Sequence, residues 1–196
     1  VSIGRVYKQA NYDTAYVGKW HLNGPNRPGP VLPSQRHGWD YWMGANFEHN
    51  YSRSRFTDND GNEKTWKGFD AESQTDDVID YLKNRNSENP FCMFLSWGPP
   101  HHPYREAPQD YLDRYDPKTI QGRPNCPDVP GDDLWGYYAQ TTFLDDQFAR
   151  LLATLDELEL SDNTIVVFTS DHGDMHGSHG VYKKQWPWNE SICVPF

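Results

Sequence analysis

Four polar clusters in this chain have the residue types for acid–base and metal chemistry, and each lies just beyond an apolar run or a glycine-rich loop. They are Lys19 with His21, His101 with His102, Asp171 with His172, and Lys183 with Lys184. The sharpest is Thr169-Ser170-Asp171-His172-Gly173-Asp174, directly after Thr164-Ile165-Val166-Val167-Phe168. That apolar run reads as a strand buried on both faces. Its C-terminal tip then presents a carboxylate and an imidazole, at the place where open α/β sheets bind ligands. Gly173 lets the backbone turn, so Asp171 and His172 can reach one divalent cation. If the strands are parallel, all four clusters converge on one edge of the sheet. Two lysines, two or three histidines and a metal pair suit the ester of a tetrahedral oxyanion. The cations neutralise nonbridging oxygens, and a histidine protonates the departing alcohol.

The elements that must position these residues follow from periodicity. Tyr16 to His21 reads as a short strand running into a loop, and Gly38 to Gly44 as a second, aromatic strand. Between them the loop Gly24 to Pro33 holds Pro25, Pro28, Pro30 and Pro33, which excludes regular structure. Residues 45–70 are polar and predict an excursion with short edge strands. Thr75 is a candidate cap for a helix over Asp76 to Asn84, with Val78, Ile79 and Leu82 inward. Pro90 opens Phe91 to Trp97, a central-strand candidate stopped by Pro99-Pro100. Residues 98–131 predict a long loop with one helical turn near Tyr111. Apolar residues from Leu134 to Leu158 recur at three- and four-residue spacing, predicting a helix over Asp132 to Glu159. Strand, amphipathic helix, strand is the pattern of an α/β sheet with right-handed crossovers.

Size and charge narrow the class. A chain of 196 residues suffices for one domain with a real core. Its 8 Trp and 12 Tyr argue against a disordered segment. A formal charge of −10 argues against nucleic acid and anionic membrane as partners. It does not forbid an anionic substrate in a cleft held by local cations. No apolar stretch is long enough to span a membrane. Cys92, Cys126 and Cys193 form no CxxC pair and no disulfide framework, and Cys92 reads as a buried thiol. The chain begins at Val1 without a methionine, and Ile192 to Phe196 resembles the start of another strand, so both ends are expected to be cut.

Gly18-Lys19-Trp20-His21, Pro99-Pro100-His101-His102-Pro103, and Ser170-Asp171-His172-Gly173-Asp174 with Gly177-Ser178-His179-Gly180 resemble the sulfatase family of the alkaline-phosphatase-like superfamily. Lys184-Gln185-Trp186-Pro187-Trp188-Asn189-Glu190-Ser191 resembles the segment that follows. The likeness runs through nearly the whole chain in the same order. It implies a three-layer α/β sandwich with a mostly parallel sheet, residues 1–196 forming part of a single catalytic domain. It implies a sulfuric ester hydrolase acting on a small-molecule or glycan sulfate ester.

The resemblance also implies roles. Asp171 and His172 would bind a divalent cation, Ca²⁺ or Mn²⁺, with Mg²⁺ a further option. Lys19 would contact nucleophile and sulfate, and His21 would assist the nucleophile. His101 would face the ester oxygen, His102 would stand at the rim against substrate, and Lys184 rather than Lys183 would be the second sulfate-binding lysine. The family's nucleophile is a formylglycine made from Cys or Ser in a Cys/Ser-x-Pro-x-Arg motif. None of the three cysteines fits that motif, so formylglycine is expected outside residues 1–196, made by a formylglycine-generating enzyme or maturation factor. The early acidic pair of the family's metal site is absent too, so residues 1–196 alone are expected to be inactive. His172 stands where many members have Asn. Histidine there also occurs in choline-sulfatase-like and phosphonate-monoesterase-like members, and imidazole prefers manganese, iron or zinc to calcium. A phosphonate monoester or phosphodiester hydrolase is therefore the alternative activity, and an inactive module that binds sulfated ligands is the alternative of another class. Periplasmic or secreted location follows from the resemblance alone.

The remaining candidates read more plainly. His176 and His179 suit structural roles in a glycine-rich loop, and His37 and His49 suit ordinary surface or loop positions. Trp39, Tyr41 and Trp42 read as core, whereas Trp186 and Trp188 could line a pocket.

Overall fold

The almost continuously buried run from Asp13 to Trp20 forms a strand flanked on both sides in the sheet. The computed structural model describes residues 2–24, 29–85, 88–128 and 130–196. The strands are β1 (Asp13–Trp20), β2 (Tyr41–Asn46), β3 (Arg55–Thr57), β4 (Glu63–Thr65) and β5 (Phe91–Ser96). The helices are α1 (Ile3–Gln9), α2 (Asp70–Asn84), α3 (Gln109–Leu112), α4 (Gly131–Glu157) and α5 (Asn189–Ile192). Strand order is β4-β3-β2-β1-β5. β1 runs parallel to both neighbours, β2 and β5, while β3 and β4 add antiparallel pairing. The sheet is thus mixed, and its long ladders are parallel.

Each face of β1 carries its own core. Tyr16 and Trp20 pack with Val31, Trp39 and Trp42 on one side. Val17 packs with Ala45, Phe56, Trp66, Val78, Leu82 and Leu155 on the other, beneath α2 and α4. The Trp42 indole lies over Gly44, where a Cβ would meet it at 2.1 Å, and donates to Thr57 Oγ1 at 3.2 Å. Gly18 is required more strictly. Its φ is +106°, and a Cβ there would stand 2.1 Å from the Ser96 carbonyl oxygen of β5. Gly18→Ala should therefore combine a left-handed backbone penalty with a backbone clash. We expect a loss of at least about 2 kcal/mol, seen as a lowered unfolding midpoint. An unchanged midpoint would show that β1 and β5 can separate at no cost.

Several elements depart from the sequence reading. Helix α2 begins at Asp70, not Asp76, because the Asp70 amide is taken up by the Tyr51 carbonyl at 2.7 Å. Thr75 is buried inside the helix and donates to Ala71 O at 2.7 Å, so it is no cap. Among the described residues β5 stands at an edge of the sheet rather than at its centre, and its side chains, Cys92 included, are mostly half-buried. Pro33 opens a short 3₁₀ turn to Gln35, whereas Pro25 and Pro28 lie outside the described residues.

The largest departure is Thr164 to Phe168, which is not a buried strand. It belongs to no ladder, and Ile165 is 93% and Val167 62% exposed. Its Phe168 ring packs 5.3 Å from Phe148 of α4, and Thr164 donates to Leu160 O at 2.8 Å. A strand needs neighbours to take its amides and carbonyls. Among the described residues the ladders end at β5, so this run has none.

Candidate active site

The polar clusters gather beyond the C-terminal ends of β1 and β5. Lys19 is the penultimate residue of β1, half-buried, with Asp171 and Lys184 both close enough to act on it electrostatically. Burial draws its ammonium below the ordinary range; Asp171 opposes that shift and Lys184 adds to it. His21 stands exposed just past β1, its ring packed on Phe47 at 4.7 Å between centroids.

His101 and His102 sit on the loop after β5, bracketed by cis peptide bonds at Pro99-Pro100 and His102-Pro103. Two buried side chains grip this loop. Tyr51, 1% exposed, donates its hydroxyl to the carbonyls of His101 at 2.9 Å and His102 at 3.2 Å. Its own amide donates to Glu106 at 2.6 Å, and Gly98 leaves room for its ring. Gln140 of α4 donates to the carbonyls of Pro103 and Tyr104, each at 2.8 Å. Gly136, one turn earlier, lets α4 approach, since a Cβ there would meet Tyr104 O at 2.4 Å.

Tyr51→Phe keeps the ring but leaves two carbonyls short of a donor. We expect ~1–3 kcal/mol of lost stability. In the complete protein we also expect about tenfold slower turnover with KM little changed, as for displacement of a positioned group. Stability loss with unchanged turnover would detach Tyr51 from the chemistry.

The central contact joins residues 83 positions apart: the Lys184 ammonium donates to His101 Nε2 at 2.5 Å. His101 Nδ1 lies 2.8 Å from His102 O. A carbonyl only accepts, so Nδ1 carries the ring proton and Nε2 offers its lone pair to Lys184. Burial pushes the His101 imidazole down to about 3, with Lys19 and Lys184 pushing the same way. Lys184 itself is lowered by burial against the pull of Asp171 and Asp174. The backbone is left-handed at both Lys183 (φ 66°) and Gln185 (φ 76°), a rare state for side-chain-bearing residues that turns Lys184 inward while Lys183 stays exposed.

Asp171 and His172 lie beside this pair, the His172 ring 6.0 Å from that of His101. His172 Nδ1 meets Gly173 O at 2.7 Å, so Nδ1 holds the proton and Nε2 is free to ligate. Nε2 is 3.6 Å from Asp171 Oδ2, a separation two donors of one cation can have. Among the described residues no group of three or more His, Cys, Asp or Glu side chains is arranged to hold a metal. The pair therefore fits as two donors of a shell, not as a whole one. Close packing at Gly173, whose Cβ would meet Glu190 O at 2.0 Å, ties this turn to α5.

The structure also places here a residue that sequence reasoning assigned to an ordinary surface or loop position; it is on a loop, but half-buried. His49, beyond β2, has its ring 4.7 Å from His101 and 5.7 Å from His102. No local signal marks it, since it follows a short polar stretch. The positive φ of Phe47 (61°) turns the chain so that residues 49–51 meet the β5 loop. His176 and His179 lie farther back. His176 is buried against Tyr104 and Tyr137, and His179 stacks on Trp188.

An α/β sheet that collects two lysines, several histidines and an Asp–His pair at its strand ends defines a hydrolase fold of the alkaline-phosphatase-like type. The Sulfatase family matches residues 1–196 throughout, and the chain belongs to that family. It is 39% identical to an ulvan-active sulfatase of Formosa agariphila, over 99% of this chain and 40% of that protein. It is 30% identical to an endo-4-O-sulfatase of Bacteroides thetaiotaomicron, over 99% of this chain and 44% of that one. A solved structure of a protein from glycosaminoglycan metabolism in Bacteroides thetaiotaomicron matches with a TM-score of 0.91 at 29% identity. That match covers 99% of this chain and 46% of that one. The chain thus spans less than half the length of these relatives. Sulfatases as a family use a metal ion and formylglycine. No helix among the described residues is long and apolar enough to cross a membrane.

Proposed function

We propose that the protein of which these residues form the site hydrolyses sulfate esters of saccharides. The observation that carries this reading is the Lys184–His101 contact, set beside Lys19 and the Asp171–His172 pair. Lys19 and Lys184 place ammonium groups where nonbridging sulfate oxygens would gather, in a half-buried setting that strengthens the attraction. A proton held between Lys184 Nζ and His101 Nε2 is available to the departing alcohol oxygen, which leaves both side chains neutral. Burial of both groups favours that neutral state. His102 borders the alcohol side, and His21 lies on the approach from β1.

Asp171 Oδ2 and His172 Nε2 would hold one divalent cation, which when bound adds positive charge to the sulfate oxygens. The imidazole donor favours Mn²⁺ over Ca²⁺. In this reading formylglycine is supplied from outside residues 1–196 by a maturation enzyme. The names of the ulvan-active and endo-4-O relatives support a sulfated glycan as substrate. Such polymers are met in the periplasm or outside the cell, where we place the protein. The test is release of inorganic sulfate from sulfated mono- and oligosaccharides by the complete, matured protein. Release of phosphonate or phosphate in place of sulfate would move the activity to phosphoryl esters, and binding without release would leave a lectin-like module.

A further inference from the structure

His49 is neither a ligand of the Asp171–His172 pair nor one of the lysines that would neutralise sulfate, yet it lies among them. Its ring stands 4.7 Å from His101 and 5.7 Å from His102, and on its other side Phe47 packs edge-on at 4.9 Å. His21 touches the same Phe47. His49 therefore links Phe47, which His21 also touches, to the β5 loop, and its neighbour His101 is in turn 6.0 Å from His172. Its backbone is secured on both sides. The His49 amide donates to Glu48 at 3.1 Å, and Tyr51, two residues on, is locked to the carbonyls of His101 and His102.

We propose that His49 contacts the alcohol part of the ester and reads a hydroxyl next to the sulfated carbon of a sugar ring. The inference rests on the sulfatase reading and adds a specificity-determining residue to it. The argument is one of sides and chemistry. Asp171, His172 and Lys19 define where the oxyanion sits, and His101 and Lys184 define where the ester oxygen leaves. His49 packs on the leaving side, against His101 and His102. Burial, with Lys19, His102, Lys184 and His21 all pushing the same way, holds its imidazole neutral, down to about 4. A neutral ring does little for sulfate, but it offers one donor and one acceptor. That is the complement of a vicinal hydroxyl. A site built to hydrogen-bond a hydroxyl discriminates strongly against the analogue that lacks it.

The test uses the complete, matured protein, its His49→Ala and His49→Gln variants, and three probes. These are the best substrate from a panel of monosulfated hexoses, the deoxy analogue lacking the adjacent hydroxyl, and 4-nitrophenyl sulfate. We expect His49→Ala to lower kcat/KM for the sulfated sugar by about 10- to 100-fold. The deoxy analogue and 4-nitrophenyl sulfate should change by less than about threefold, and Gln should restore part of the loss. Equal losses on all three probes would overturn the proposal, because they would show His49 merely props His101. Wild-type turnover of the aryl ester with none of any sulfated hexose would overturn it as well, removing the saccharide part of the proposed function while sulfate-ester hydrolysis stands. No sulfate release from any probe by the wild type would overturn both.

Discussion

Replacing Asp171 by alanine should strip the complete protein of its divalent cation and slow sulfate-ester turnover by on the order of 10³-fold. Loss of Lewis-acid charge stabilisation is worth several kcal/mol, and each ~1.4 kcal/mol is tenfold in rate. The variant is expected to fold, because the Asp171 side chain is 75% exposed and supports no core packing. What it loses is the carboxylate partner of His172 Nε2, whose lone pair is already aimed by the Nδ1 contact to Gly173 O. Elemental analysis after dialysis reads the result directly, and unchanged metal content would sink the assignment. His172→Asn is the informative companion. Exchanging the imidazole for an amide oxygen should shift preference from Mn²⁺ toward Ca²⁺, measured by reconstitution with each ion.

The second large effect is a dependence on the leaving group. His101→Ala should lower kcat for alkyl sulfates, sugar esters included, by about 10²- to 10⁴-fold, the usual contribution of a positioned proton donor. A 4-nitrophenyl ester should lose less than about tenfold, since its phenolate departs without help. Lys184→Met should show the same dependence on the leaving group, on top of a loss common to both esters, because its ammonium donates to His101 Nε2 and in the proposed function also faces the sulfate oxygens. The double variant should then be no slower than the worse single one, as for residues that act as a unit. Losses that are equal for alkyl and aryl esters would assign the pair to sulfate binding alone. Strictly additive losses would separate the two residues into different roles.

The order of the motifs was legible in the chain, and so was the existence of the strands at Tyr16 and Phe91, but not their places in the sheet. Lys19 sits at the C-terminal end of β1, and Asp171-His172-Gly173 forms its own turn, with donors on adjacent residues. Helix α4 could be read almost to its ends because its apolar residues recur with the helical period. The position of α2 could not. Its first turn is set by the Tyr51 carbonyl, which is far from it in sequence and is brought there by the excursion through β3 and β4. The same distance hid Gln140 and Gly136, which look like ordinary helix residues until the β5 loop lies against them.

Thr164 to Phe168 and His49 mark the two opposite limits of sequence reading. An apolar run records a capacity to be sandwiched, but its pairing depends on which strands stand beside it, and none does among the described residues. A lone polar histidine records nothing, yet packing puts its ring on His101, on a loop that Tyr51 clamps from 50 residues away. What the sequence determined by itself was the identity of the chemical groups, their order, and the local turns that aim them, because those depend on neighbouring residues. The tertiary structure alone decided which groups meet. The Lys184–His101 contact, the Tyr51 clamp and the inclusion of His49 depend on sheet order and loop packing between distant segments, which no local pattern encodes.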